Sequence, residues 1–392
     1  MGDFRADIQR EKPFRFTARG KVKGEGIVIP SKWGIPIRIE NLSLVGDGSS
    51  LAIEPSSLRL DDTPFSLKGN LNSTQEDLVI DMDLFADRIE WKKIAQVLET
   101  KEKRESKKND ETWDIPVKGT LRLKTNYFTY DKYTWMPLHA DISLNHNDVD
   151  IAVTRATLCG ISSPGTMNIT PKELSFDFQL AAENQELKPA LICLFGKDRD
   201  ATGKFDLKAR IKGRGKKETV RDSLEGDAEF FARDGRIFRQ PALLNIFSFL
   251  EVNQILRGFP EMRQEGFGYH SIKAKAELRK GTLEVKEVTV DGATMKIAAQ
   301  GTVDLKNDKL DAKVLISPLK KTDFIIKKTP ILGSILGGSL VSIPLKVSGD
   351  IDDPKVSSNP VSAVGSGLLG IMERTLKAPV KLFDPFLPDE KK

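Results

Sequence analysis

Between residues 295 and 316 the chain reads MKIAAQGTVDLKNDKLDAKVLI. Met295, Ile297, Ala299, Gly301, Val303 and Leu305 alternate with Lys296, Ala298, Gln300, Thr302 and Asp304, so a strand here has one apolar and one wet face. Asn307, Asp308 and Lys309 supply turn chemistry, and Leu310, Ala312, Val314 and Ile316 resume the alternation. The pattern predicts a hairpin with strands over 294–305 and 309–316. Its oily face must meet helices, a second sheet, or something from outside the chain.

The same period recurs with turn signals between residues 15 and 85, 115 and 181, and 203 and 350, which predicts roughly twenty strands. Three stretches, 49–86, 149–182 and 281–317, share one order: strand, short break, strand, a small-residue run ending in a polar turn, strand. This grammar argues for a repeated sheet unit. Helical text is scarce and confined to 89–98, 187–195, 240–259 and 362–386. In the third of these Leu243, Ile246, Phe247, Leu250, Ile255 and Leu256 fall at near-helical spacing. Four short helices cannot cover some twenty strands laid side by side at about 4.8 Å each. Either the sheet folds back on itself, or its apolar face is an open trough that lipid tails would fill.

Composition narrows the class. Charged residues are 30% and hydrophobic ones 39%, as in a globular chain, and no run approaches the roughly 18 apolar residues of a membrane span. The net charge of +5 over 61 basic and 56 acidic residues leaves no nucleic-acid footprint. The opening MGDFRADIQREKPFRF has no hydrophobic region, so it reads as neither a signal nor a transit peptide. It runs directly into strand-like text, and an upstream anchor and further repeats are expected before it. Cys159 and Cys193 are expected as two buried free thiols in preference to a disulfide, since cysteine commonly behaves as a small hydrophobe, and two cysteines do not settle the compartment.

Chemistry has little to stand on. His139, His146 and His270 lie in or beside strands without ligands at metal spacing. Asp61-Asp62 and Asp352-Asp353 fall in turns, where aspartate stabilises the backbone. GRGKK at 213–217 lacks the glycine spacing and the Ser/Thr of a phosphate loop. No catalytic residue, metal or cofactor is expected. Lys320, Lys321, Lys327 and Lys328 are either solvated or in contact with anionic headgroups.

The last third carries a resemblance. The run from LEGDAEFFARDGRIF through GFGYHSIKA and GTVDL to IPLKVSGDIDDPKV, about residues 185–385, resembles the C-terminal region of the AsmA-like family of bacterial envelope proteins. That resemblance implies a periplasmic, membrane-associated protein of a Gram-negative envelope, usually anchored by an N-terminal helix. It also implies a repeating β-groove like that of bridge-like lipid transfer proteins, passing phospholipid between the inner and outer membranes.

The resulting expectation is a mainly β chain: an elongated, twisted antiparallel sheet of repeated units forming a hydrophobic groove, with a few short helices. Its parts are a groove repeat over 1–100, a charged linker over 101–114, a second repeat over 115–200, an AsmA-like region over 201–355 with a helix at 240–257, and a helix and tail over 356–392. The groove floor is assigned to Leu283, Val285, Met295, Ile297, Val303, Leu305, Leu310, Val314 and Ile316. Ile297→Asp with Val303→Asp is expected to abolish cargo while sparing the sheet. In the terminal helix Leu368, Ile371, Met372, Arg374, Leu376 and Lys377 are assigned to a membrane surface, with packing on the final strands as the alternative. The expected partners are phospholipid, a membrane surface and envelope proteins, with no nucleic acid. The alternative function is a non-enzymatic scaffold that aids outer-membrane protein assembly.

Overall fold

The computed structural model describes residues 5–9, 15–29, 37–95, 117–196, 201–216, 218–238, 240–252, 266–319 and 342–377. The charged run 101–114, the end of the 240–257 helix, the four lysines from Lys320 to Lys328, and the tail beyond 377 lie outside the described residues. Strands dominate. In chain order they are β1 (Arg5–Gln9), β2 (Arg15–Ile29), β3 (Ile37–Gly48), β4 (Ser50–Leu60), β5 (Thr63–Ser73), β6 (Leu78–Glu90), β7 (Val117–Tyr130), β8 (Tyr133–Asn145), β9 (Asp148–Leu158), β10 (Ile161–Ser162), β11 (Gly165–Ile169) and β12 (Leu174–Glu186). They continue as β13 (Lys204–Gly215), β14 (Glu225–Ile237), β15 (Phe267–Arg279), β16 (Thr282–Gly292), β17 (Met295–Asp304), β18 (Lys309–Pro318), β19 (Ile343–Asp350) and β20 (Pro354–Ser358). The helices are α1 (Leu187–Phe195), α2 (Pro241–Val252) and α3 (Ser366–Lys377), with one helical turn at 91–95. The fold is mainly β, as the alternation predicts.

Two compact units divide the chain, one of residues 1–158, 162–179 and 213–220, the other of 159–161, 180–212 and 221–392. In the first unit β1 to β6 pair with their neighbours as an antiparallel meander. β6 then pairs with β7 in parallel, Leu78 opposite Val117 through Glu90 opposite Thr129. A parallel pair needs a long crossover, and the chain between Glu90 and Val117 is long enough to supply one. From β7 the antiparallel order resumes through β8 and β9, with β11 between β9 and β12.

The second unit is a meander from β13 to β20, each strand antiparallel to the next. Turn chemistry explains the reversals: Lys280 and Gly281 both take positive φ, 51° and 76°, between β15 and β16. On one face α2 lays Ile246 and Leu250 against Met295, Ile297, Val314, Ile316, Ile343 and Leu345 in one buried core. Asn245 fixes the helix by donating to the Pro354 carbonyl at 2.8 Å. On the opposite face α3 lays Leu368, Ile371 and Met372 on Ala298 and Leu315.

Three expectations are corrected here. Cys159 and Cys193 form a disulfide, with Cα atoms 5.6 Å apart, rather than two free thiols. The polar face of β17 is wet only in its second half, where Thr302 is exposed: Lys296 is 8% exposed, donates to the Thr375 carbonyl at 2.9 Å and pairs with Asp291 at 3.4 Å. Leu368, Ile371 and Met372 are 2%, 3% and 0% exposed, so the apolar side of α3 packs on the sheet and is not open to a membrane. Leu376 packs at the edge of the same cluster. Arg374 reaches Glu287 at 3.5 Å and Lys377 reaches Glu373 at 2.5 Å.

Candidate functional site

The floor assigned from the sequence divides in two. Met295, Ile297, Val314 and Ile316 are buried, in the same closed core as Ile246 and Leu250 of α2. Leu283, Val285, Val303 and Leu310 are half-buried on β16 to β18, and Leu305 lies beyond the end of β17 at 46% exposure. An Asp at Ile297 would therefore place a charge in a closed core, and the sheet would not be spared.

An open apolar trough does exist, in the first unit. Ile37 of β3, Leu58 and Leu60 of β4, and Phe65 of β5 line one side. Leu84 and Ile89 of β6 and Leu121, Leu123 and Phe128 of β7 line the other, with Trp91 and Ile94 of the helical turn at the end. The volume is about 390 Å3 and every lining side chain is apolar. The register builds it: Ile37 faces Leu60, Leu58 faces Phe65, Leu84 faces Leu123, and Ile89 faces Phe128. Leu123 and Phe128 are an odd number of residues apart, so strict alternation would put them on opposite faces. The alternation slips between them, at buried Thr125, whose hydroxyl lies 3.2 Å from the Asp87 carbonyl and 3.0 Å from that of Tyr127.

Among the described residues a small buried cluster, Phe65, Ala86 and Ile89, closes the base of the trough. Trp91 and Trp135 flank Phe128 with ring centroids 6.4 and 6.2 Å away. The opposite face of these strands is polar. Arg122 pairs with Asp81 at 2.6 Å and Asp83 at 2.5 Å, and its hydrogen bond holds the Asp83 carboxyl below the ordinary range. Lys68 adds a second cation at 3.6 Å. An apolar concavity backed by a solvated face can accept hydrocarbon while the sheet stays in water.

The YhdP protein family matches residues 25–356. The chain belongs to that family. The matched span includes the trough residues of β3 to β7 and the closed core of the second unit. No curated protein and no solved structure gives a match.

The trough residues of the YhdP-family chain were missed in the sequence because their alternation is no stronger than that of β16 to β18. One signal could have found them. The strongest apolar helix, α2, follows β14 and is available to cover the second unit, whereas among the described residues the first offers the turn at 91–95. Among the described residues no helix is long and apolar enough to cross a membrane, and no three His, Cys, Asp or Glu are grouped to hold a metal. His146 instead meets Asp77 at 3.1 Å, where Lys118 also pairs at 2.7 Å.

Proposed function

We propose that this chain is a non-enzymatic lipid-binding and transfer protein of a Gram-negative envelope, and that it takes phospholipid acyl chains into the trough of the first unit. The observation that carries the reading is the trough: about 390 Å3, lined only by apolar side chains, with no helix of the described chain laid over it as α2 is laid over the second unit. A volume of this size falls within the range of about 300–1,000 Å3 typical of small-ligand sites. Each methylene moved from water into it would contribute about 0.8 kcal/mol. YhdP-family membership and the AsmA-like run of the last third support an envelope setting. So does the Cys159–Cys193 disulfide, because such bonds persist in oxidising compartments such as the periplasm.

The test is purification without detergent, followed by lipid extraction and mass spectrometry. Phospholipid should accompany the protein in stoichiometric amount. Leu60→Gln with Leu123→Gln should remove it while far-UV circular dichroism is retained. Lipid-free protein, or lipid that persists in the double variant, would overturn the trough assignment, and lipid-free protein would favour the scaffold alternative.

A further inference from the structure

The two edges of the first unit differ. At one edge the strands turn through polar residues: Ser49 and Ser50, Thr74 to Asp77, His146 to Asp148, and Thr170 to Glu173. These turns are closed by their own hydrogen bonds, Thr74 N–H to the Asp77 carbonyl and Thr170 N–H to that of Glu173, each 2.9 Å. At the other edge lie the ends of β2, β4, β6, β7 and β9. The register carries that edge across the strands, from Ile29 opposite Ile37 and Ile37 opposite Leu60 to Glu90 opposite Thr129 and Tyr130 opposite Tyr133.

Large apolar side chains that this unit leaves exposed gather there: Ile27, Val28, Ile29, Trp91, Tyr130 and Met136. Phe85 sits in mid-sheet and Ile169 at the polar edge. Ile27, Val28 and Ile29 are 40%, 57% and 44% exposed although consecutive residues of a strand point to opposite faces. A sheet tip that shows aliphatic groups on both faces gains nothing from water on either side. Tyr130 and Tyr133 pair with each other beyond Phe128 and Trp135, and the Lys132 ammonium lies 5.2 Å from the Tyr133 ring centroid. Charges of both signs, Arg59, Asp61, Asp62, Arg88, Asp131 and Lys132, surround these tips. Tyr and Trp rings beside balanced charge match the headgroup layer of a zwitterionic bilayer.

We propose that this aromatic and aliphatic edge docks on a phospholipid membrane, seating its tips in the interfacial layer so that the trough ending at Trp91 opens toward acyl chains. The inference rests on the lipid reading above and adds where the lipid enters. Because the attraction comes from rings and aliphatic tips and not from net charge, it needs no anionic lipid and is little weakened by salt.

Flotation of the full chain with vesicles of phosphatidylcholine and phosphatidylethanolamine tests it. The protein should float, and Val28→Ser with Tyr130→Ser should weaken partitioning about tenfold or more. Lys172→Ser at the polar edge should change nothing. Neither Val28 nor Tyr130 lines the trough, so the double variant should still carry lipid through purification. Flotation that survives the double variant, or that appears only with anionic lipid, overturns the proposal. Tyr130-dependent self-association in lipid-free buffer would overturn it too, because the edge would then be a protein contact. If the wild type floats through this edge but purifies lipid-free, the trough reading fails and the docking edge stands.

Discussion

Tyr269 lies in β15 at 3% exposure, and its hydroxyl donates to the Thr202 carbonyl at 2.6 Å. Two glycines make room for that hydroxyl: a Cβ on Gly203 or Gly235 would stand 2.6 or 2.5 Å from it. Burial, with Asp234 adding to it, pushes the phenol up to about 12 from 10.0. A raised folded pKa means that the folded state holds the proton longer. The stabilisation is therefore complete below about pH 10 and is lost as pH rises through about 12. Urea unfolding of the wild type should show its midpoint falling between these values more steeply than in Tyr269→Phe. At neutral pH that variant should lose about 1–3 kcal/mol, since the Thr202 acceptor is left without its donor. Equal pH slopes in the two proteins would remove this account of the tyrosine. None of this was legible in the sequence, where Tyr269 is one ring in GFGYHSIKA and the partner carbonyl lies far along the chain.

At the scale of elements the alternation predicted strands closely: 294–305 and 309–316 became Met295–Asp304 and Lys309–Pro318. The period of two tells which residues share a face, but not what covers that face. Hence alternation alone leaves Met295 and Ile297 an open floor and Lys296 wet, whereas the first two share a closed core with α2 and Lys296 is buried against α3. Ala298, apolar among the polar positions of β17, was the residue that marked a covered second face. The helix α3 poses the same question, because its amphipathic pattern fits a membrane surface and a sheet equally well. The structure gives it the sheet, so Met372→Ala should cost about 2–5 kcal/mol in urea unfolding, the range for truncating a large buried side chain. Vesicle flotation should be unchanged by it. A Met372 variant of normal stability that no longer floated would return α3 to the membrane.

Across the whole molecule, burial is uneven in a way that bears on function. In the second unit β17 at Met295–Ala298 and β18 at Val314–Ser317 are buried on both faces, one face in the core shared with α2 and the other against α3. The aliphatic face of the first unit instead leaves Ile37, Leu60, Leu121 and Leu123 half-open around the trough, above a cluster of Phe65, Ala86 and Ile89. Local stability follows apolar burial, so the strands around the trough should open at lower free energy than those of the closed core. A ligand that binds only the folded trough stabilises by mass action, and its effect is confined to the strands it touches. Hydrogen exchange should accordingly find the amides of β3 to β7 exchanging faster than those of β17 to β19 in lipid-free protein. Added phospholipid should slow the former and leave the latter unchanged. Protection that rose equally in both units, or only in β16 to β18, would place the cargo on the floor first assigned from the sequence. The observed packing under α2 would then have to open to admit it.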